Sequence, residues 1–325
     1  KVTQKSGKHA LELNDGVGHK PEYETLAMFG SNVMSDDLPS IVKINEICNN
    51  AGMDTITVGA TVAYAIECYE NGLLTEEQTD GLELTWGNAD AIVALTEKIA
   101  ACEGFGEVLA DGVKKAWERL NKVGTDYAIH IDGEEIPAHD PKYMPGLAST
   151  YFLSATPGRH TQGGELNPSP GLEVPELDKY NYKGQARSHL ILVAAMEICN
   201  AAGLCMLGYV SYPWQAIPDQ LAAITGVEYD MQAIVETGIR IFTMRHAFNL
   251  REGINPLERN MPRRLIGDPP LKEGNVKNIT VDYKTLSTEF LEELGWDTNT
   301  TVPSDDSLRR LGMDFLIEDM SKLRQ

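Results

Sequence analysis

Apolar side chains recur along most of this chain at the three- and four-residue spacing of amphipathic α-helices. In residues 38–50 the apolar positions include Leu38, Ile41, Ile44 and Ile47. The next apolar run ends near residue 70 and has hydrophobic residues on nearly every side, which is typical of a buried helix. The pattern predicts helices over residues 38–50, 54–70, 88–101, 107–120, 182–200, 217–225, 229–249, 283–294 and 304–322.

The remaining segments carry little β-structure signal. Residues 1–20 are polar and show no period, so we expect an arm or loop there. The one hairpin signal is Asp132-Gly133, which is flanked by short apolar stretches. Residues 137–175 form a Pro- and Gly-rich passage, and loops of that length are usually functional or disordered. With no βαβ alternation, the sequence predicts an all-α, multihelical fold with at most a short β-hairpin.

A break in the helical pattern near residues 121–124 suggests where the chain divides. A chain of 325 residues is long enough for two ordinary hydrophobic cores. We therefore predict two helical domains, residues 1–125 and 126–325.

One phrase occurs twice in the chain. Residues 46–52 read Glu-Ile-Cys-Asn-Asn-Ala-Gly, and residues 197–203 read Glu-Ile-Cys-Asn-Ala-Ala-Gly. Each copy places a glycine where a left-handed helix cap is favoured, and a second helix is expected to begin at once. The start of that helix is Asp54 in the first copy and Cys205 in the second, positions where a helix favours anions or lowers a thiol pKa. The simpler interpretation is two ordinary helix caps.

Composition and charge narrow the function classes. The chain is 42% hydrophobic and 23% charged, with a formal net charge of −20. No basic stretch is present to neutralise phosphates, so we expect neither nucleic-acid binding nor binding to an anionic membrane surface. No apolar run is long enough for a membrane span, and no export signal is visible. The chain opens on Lys1 rather than Met, which suggests a fragment of a longer protein.

The cysteines favour a reducing compartment. They stand at positions 48, 68, 102, 199 and 205, and no two are spaced as a Cys-x-x-Cys pair. An odd number without paired spacing does not form a disulfide framework. We therefore expect a cytoplasmic protein.

Four phrases together resemble the aldehyde ferredoxin oxidoreductase family. They are Pro-Glu-Tyr-Glu-Thr at 21–25, Asn-x-x-Gly-Met-Asp at 49–54, Gly-Leu-Glu-Leu-x-Trp-Gly-Asn at 81–88, and Asn-x-x-Gly-Leu-Cys at 200–205. The resemblance covers essentially the whole chain. It implies the two C-terminal helical domains of these tungsten-pterin enzymes, domains two and three. They enclose the cofactor against an N-terminal β-rich domain that is missing from this chain.

The resemblance assigns the duplicated phrase to two pterins of a bis-dithiolene centre. The matching positions are Asn49, Gly52 and Asp54 for one pterin, and Asn200, Gly203, Leu204 and Cys205 for the other. The family has Asp where this chain has Asn49 and Asn200, and Leu where it has Met53. Asparagine keeps an acceptor oxygen for the pterin N–H groups but loses the charge.

The resemblance also makes Cys205 the fourth ligand of a [4Fe–4S] cluster. The other three ligands would come from a Cys-x-x-Cys-x-x-x-Cys stretch shortly before Pro21, which this chain lacks. No spacing among the remaining cysteines replaces that stretch. The alternative for a lone cysteine is a small buried hydrophobic residue.

Two residues match the family's catalytic positions. Glu24 corresponds to an acid/base glutamate near the metal, with Glu22 as the competing register and a solvated surface glutamate as the structural alternative. His160 corresponds to a pocket-lining histidine that hydrogen-bonds the substrate oxygen, with His139 as a rival that a turn-stabilising role would also explain. Arg159 is positioned in sequence to meet an anionic substrate or a pterin phosphate.

The resemblance thus implies part of a tungsten, or alternatively molybdenum, bis-pterin oxidoreductase that oxidises an aldehyde to a carboxylic acid and reduces ferredoxin. One alternative is the catalytic subunit of a related aromatic acyl-CoA (benzoyl-CoA type) reductase. Another is a non-catalytic helical scaffold or binding module. By itself the chain is expected to hold no cofactor and to be inactive, with the corners at 49–54 and 200–205 facing an open or disordered cleft.

Overall fold

The computed structural model describes residues 1–12, 14–163, 170–209 and 211–324. It divides into two compact units, residues 1–138 and 139–325. The prediction of an all-α fold is confirmed, since the β-structure of these described ranges is two pairs of two-residue antiparallel strands and one isolated bridge. The strands are β1 (Val2–Thr3), β2 (Val17–Gly18), β3 (His130–Ile131) and β4 (Glu134–Glu135). In the part of the chain so described, no helix combines the length and apolar content needed to cross a membrane.

The first unit is built around a helix that is buried on most sides. Its helices are α1 (Tyr23–Phe29), α2 (Leu38–Ala51), α3 (Thr55–Glu70), α4 (Ala89–Ala101), α5 (Phe105–Leu109) and α6 (Gly112–Arg119). On α3, Val62, Ala65 and Ile66 are fully buried. A Cβ on Gly59 of α3 would lie 2.6 Å from the Cβ of Met28, so α1 can approach α3 this closely only because residue 59 is glycine. This contact fixes the helix that carries Glu24.

The second unit is also built around a buried central helix. Its helices are α7 (Gly146–Leu153), α8 (Ala186–Ala201), α9 (Met206–Tyr209), α10 (Ala216–Thr225), α11 (Met231–Arg251), α12 (Tyr283–Leu294), α13 (Asp305–Arg310) and α14 (Ile317–Lys322). Helix α8 is central and packs against α11 and α12. A Cβ on Gly238 of α11 would lie 2.1 Å from the Ala194 carbonyl oxygen. On another side of α8, a Cβ on Gly163 would lie 2.6 Å from Val193 Cα. At both contacts the backbone of the glycine therefore packs directly against the backbone of α8.

Several predicted elements differ from the structure in length or continuity. The predicted helix 107–120 is wrong as a single helix, because α5 and α6 are separate and Gly112 adopts φ +82° at their junction. Similarly, the predicted helix 304–322 is interrupted after α13, where Gly312 has φ +65°. The passage 137–175 contains α7, whose sequence has no polar face to give a helical period. Residues 164–169 of that passage lie outside the described residues.

The hairpin prediction is confirmed, and the helix boundaries are close to those predicted. Strands β3 and β4 pair across Asp132-Gly133. The helix predicted from residue 182 begins at Ala186. The assignment of residues 1–125 and 126–325 to two family domains stays a prediction; the observed first unit continues to residue 138.

Buried neutral histidines give the second unit a predictable acid sensitivity. Burial, the largest effect, lowers the pKa of His246 to about 4, and its Nε2 lies 2.9 Å from the Thr301 carbonyl oxygen. Between pH 6.5 and about 4 the unfolded chain binds a proton at this position that the folded chain does not, so the free energy of unfolding falls as pH falls. The slope from one such group approaches about 1.4 kcal/mol per pH unit. Above pH 6.5 both states are neutral and the effect vanishes.

We therefore expect a His246→Gln variant, which can still donate to Thr301, to lose part of this acid sensitivity. The Tm of the 325-residue chain should fall less between pH 6.5 and 4.5 in the variant than in the unmodified chain. A His189→Gln variant should behave in the same way, because burial also lowers the pKa of His189 to about 4. Parallel curves of Tm against pH, measured by calorimetry, would contradict the assignment.

Candidate functional site

The repeated phrase forms the same backbone turn in both units. In the first, Met53 N donates to Cys48 O at 2.9 Å, and Gly52 has φ +70°. In the second, Leu204 N donates to Cys199 O at 2.9 Å, and Gly203 has φ +71°. This is the hydrogen bond of a left-handed helix termination, in which the residue after glycine also makes an apolar contact. The predicted pair of equivalent helix corners is therefore confirmed.

The residue two positions after the turn glycine differs between the two units, and so does its structural role. Asp54 is the N-cap of α3, and its Oδ2 accepts from Thr57 N at 2.9 Å. Cys205 is exposed and precedes α9, which is only four residues long. The side chains of Asn49 and Asn200 are also exposed. A Cβ at Gly52 or Gly203 would meet nothing within 4 Å, so a flat ligand has space to approach the backbone at either turn.

Glu24 lies on α1 and is buried, with only 5% of its surface exposed. Its Oε1 accepts from the Tyr23 hydroxyl at 2.8 Å, and its Oε2 accepts from Ala138 N at 2.9 Å. Burial raises the pKa of Glu24, the Ala138 hydrogen bond opposes the rise, and the nearby charges of Glu22 and Asp54 add to it. The first corner is close to this carboxyl, because Thr25 and Thr55 join α1 to the start of α3 by a hydroxyl hydrogen bond of 2.9 Å.

The two neighbours of Glu24 have different roles. Glu22 is exposed and caps α1, since its Oε2 accepts from Glu24 N at 2.8 Å. Tyr23 is 43% exposed and orients the Glu24 carboxyl rather than packing in the core. Of the two glutamates in this phrase, Glu24 therefore has the environment of a functional acid.

His160 is buried in the second unit, in the 3-10 helix His160–Gln162. Its ring stacks on His139 with a centroid distance of 4.1 Å and an interplanar angle of 11°. Burial, the largest cause, and the charges of His139 and Arg159 together lower the pKa of His160 to about 4. The imidazole is therefore neutral at pH 7. The structure places the sequence rivals His139 and His160 in direct contact.

The loop that carries His160 contacts the second corner. Asn200 Nδ2 donates to Thr161 O at 2.9 Å. The Asn200 side chain is thereby oriented so that its carbonyl oxygen remains an acceptor for a ligand.

The cysteines separate by exposure. Cys48, Cys68 and Cys199 are buried, and burial raises their pKa values to about 12, 11 and 12, respectively. Cys102 and Cys205 are exposed. Because the thiolate is the form that binds metal, Cys205 is better suited as a ligand than its buried neighbour Cys199.

Sequence reasoning did not assign the glutamate that begins each repeated phrase. Glu46 Oε1 accepts from His19 N at 2.6 Å, and Glu197 Oε1 accepts from Arg245 Nη1 at 2.5 Å. Both carboxyls are buried. The signal was present, because a glutamate repeated inside an apolar helix face indicates a buried charge that needs a partner. The partners, being distant in sequence, could not be read from it.

The curated proteins to which this chain is similar are oxidoreductases. The family described as "Aldehyde ferredoxin oxidoreductase, domains 2 & 3" matches residues 1–313. The chain belongs to the aldehyde ferredoxin oxidoreductase family.

Individual relatives agree with this membership. The chain is 31% identical over 307 residues to the tungsten-containing aldehyde ferredoxin oxidoreductase of Pyrococcus abyssi, covering 93% of this chain and 50% of that protein. It is 27% identical over 325 residues to the WOR-like subunit of an aliphatic sulfonate oxidoreductase from Pyrococcus furiosus, covering 95% and 48%. The chain thus spans about half the length of the curated relatives it matches.

A solved structure shares the fold. The active site complex BamBC of benzoyl coenzyme A reductase, in complex with 1,5-dienoyl-CoA, aligns with a TM-score of 0.73 at 20% sequence identity. The alignment covers 92% of this chain and 50% of that one. At this identity the likeness establishes a common fold alone.

Proposed function

We propose that this chain is the helical, cofactor-binding part of a tungsten-pterin enzyme that oxidises an aldehyde to a carboxylic acid and reduces ferredoxin. One observation carries the proposal. In each unit, the corner proposed to bind a pterin, or the helix start directly after it, is hydrogen-bonded to the segment that bears a candidate catalytic residue. These bonds are Thr55 to Thr25, beside Glu24, and Asn200 to Thr161, beside His160.

The residues of the corners fit a pterin. Asn49 and Asp54 in one unit and Asn200 in the other offer exposed oxygen acceptors of the kind that the N–H groups of a pterin require. The open space at Gly52 and Gly203 allows a flat ring to reach the backbone. Leu204 packs against the hydrophobic core of its unit, which holds the second turn in place.

Glu24 is suited to move a proton. Conversion of an aldehyde to an acid adds the oxygen of one water molecule and releases two protons and two electrons. When bound, the tungsten-pterin group supplies the redox chemistry and accepts the electron pair. The raised pKa of Glu24 gives its carboxylate a greater proton affinity than an exposed glutamate has, which suits it to take a proton from water.

His160 is suited to orient the substrate. Its neutral imidazole can donate one hydrogen bond to the aldehyde oxygen without placing a full charge in the site. Arg159, next to it, offers a cation for an anionic substrate or for a pterin phosphate.

Cys205 is proposed as one ligand of a [4Fe–4S] cluster through which electrons leave for ferredoxin. Its exposed thiol supports this role. The other ligands and the N-terminal domain would belong to the full-length enzyme. We assign that enzyme to the reducing cytoplasm because the cysteines of this chain form no disulfides.

The fold shared with benzoyl coenzyme A reductase supports a second candidate, the reduction of an aromatic acyl-CoA thioester. The same corners and the same buried acid would serve that reaction. The two candidates differ in the substrate and in the direction of electron flow.

The full-length enzyme, purified without air, distinguishes these possibilities. Metal and pterin analysis should find tungsten, or molybdenum in its place, together with pterin and iron. Aldehyde oxidation with ferredoxin should be measured beside benzoyl-CoA reduction. Activity on the thioester alone would favour the second candidate, and an enzyme free of metal and pterin would favour a non-catalytic scaffold.

A further inference from the structure

The His160 loop, residues 155–163, accepts hydrogen bonds from side chains of three helices, α7, α8 and α11. Thr150 of α7 donates to Gly163 O at 2.9 Å. Asn249 of α11 donates to Ala155 O at 2.8 Å. Because both ends of the loop are tied to helices, the position of His160 depends on how the middle of the loop is held.

Arg245 of α11 holds that middle part. Its Nη1 lies 2.5 Å from Gln162 Oε1, and its Nη2 lies 3.1 Å from Thr156 Oγ1. The same Nη1 lies 2.5 Å from Glu197 Oε1 on α8. One planar guanidinium therefore joins two positions of the loop to the central helix, a geometry that the multiple fixed donors of arginine allow.

The ion pair fixes Arg245 itself. The Glu197 side chain is only 2% exposed, so its charge requires a partner. Burial raises the pKa of Glu197, and the pairing with Arg245 opposes that rise. Since removal of Arg245 would leave the buried Glu197 charge without this partner, the ion pair keeps the guanidinium where the loop residues can accept from it.

Glu197 and Asn200 stand three residues apart on α8, and both reach the His160 loop. Asn200 does so directly through Thr161 O, and Glu197 does so through Arg245. The last turn of α8 thus contacts the loop both directly and through Arg245, and it leads into the corner at residues 200–205.

The first unit contains an independent counterpart. There Glu46, the equivalent of Glu197, accepts from both His19 N at 2.6 Å and His19 Nδ1 at 3.0 Å. A Cβ on Gly18 would lie 2.7 Å from Glu46 Cδ, so this segment lies directly on the carboxyl. Residue 19 precedes the phrase that carries Glu24 by only a few positions. In both units, the repeated glutamate anchors the segment that leads to a candidate catalytic residue.

We infer that Arg245 is a positioning residue which, anchored by Glu197, sets the place of His160 relative to the corner at residues 200–205. The inference rests on the proposed function of His160. Arg245 acts through the loop and does not itself touch the substrate.

The test uses the full-length enzyme and an Arg245→Lys variant. Lysine can keep the ion pair with Glu197 but cannot reach Gln162 and Thr156 with a planar fork. We expect kcat/KM for the aldehyde to fall about 10- to 100-fold, because small displacements of a positioning group have effects of this size. Tungsten, pterin and iron contents should stay unchanged. Amide hydrogen exchange should accelerate at least about 10-fold in residues 155–163 but not in α2 or α12.

The matched control is Arg240→Lys on the same helix. Arg240 donates through Nε to Leu311 O rather than to a loop residue, and its replacement should leave both kcat/KM and loop exchange unchanged. Unchanged exchange in the loop of Arg245→Lys would overturn the inference, as would faster exchange spread over the whole second unit. Faster loop exchange with unchanged kcat/KM would also overturn it. If the unmodified enzyme oxidises no aldehyde, the proposed function fails, whereas the exchange measurement still tests the tether.

Discussion

Replacement of Glu24 by glutamine in the full-length enzyme should lower kcat for aldehyde oxidation about 10²- to 10⁴-fold, the range of a lost general acid or base. Glutamine has nearly the same shape and can still accept from the Tyr23 hydroxyl. It cannot take up a proton, and its amide cannot accept from Ala138 N as the carboxylate does. The variant should fold and keep its metal and pterin, because Glu24 is not one of the residues proposed to bind pterin in the first corner, which are Asn49, Gly52 and Asp54.

The matched control is Glu22→Gln, two residues away. The amide oxygen of glutamine can still cap α1 by accepting from Glu24 N, so stability should change little. Removal of the Glu22 charge takes away one influence that raises the Glu24 pKa, and the acid limb of the pH–rate profile should move slightly to lower pH. Equal rates in Glu24→Gln and unmodified enzyme, each normalised to tungsten content, would exclude an acid/base role for Glu24.

The features that the sequence predicted well are those determined within a few residues. Each corner needs an apolar helix end, a glycine with positive φ and an apolar residue after it. All three are neighbours in the sequence. The cap at Asp54 is similarly local, since its partner is Thr57. The hairpin at Asp132-Gly133 follows from turn chemistry alone.

The features that the sequence did not predict depend on distant contacts. The helix expected at 107–120 is divided because Glu135 accepts from Val113 N at 2.7 Å and lies against Gly112, which is a contact between positions far apart in the chain. The burial of Glu24 involves Ala138, which is 114 residues away. Periodicity carries no information on such pairs.

The repeated phrase contains both kinds of information. Its last residues, Asn-x-Ala-Gly, define the local turn, and the sequence predicts that turn correctly. Its first letter, the glutamate, is explained only by His19 in one unit and Arg245 in the other. A repeat in sequence therefore marked two equivalent long-range anchors whose partners differ, and only the folded chain identifies those partners.

Replacement of Cys205 by serine should remove the iron–sulfur cluster from the full-length enzyme and abolish ferredoxin-dependent activity, because a serine hydroxyl does not replace a thiolate as a cluster ligand at neutral pH. The neighbouring Cys199 cannot compensate, since it is fully buried on α8 and burial raises its pKa to about 12. Iron analysis and the visible absorption of the cluster measure the loss directly, whereas tungsten and pterin contents should fall less, because Asn200, Gly203 and Leu204 remain.

Cys102→Ser is the matched control, being the other exposed cysteine of the described chain, and should keep the full iron content. Full iron and normal ferredoxin reduction in Cys205→Ser would rule out Cys205 as a ligand and leave the second corner with a pterin role alone.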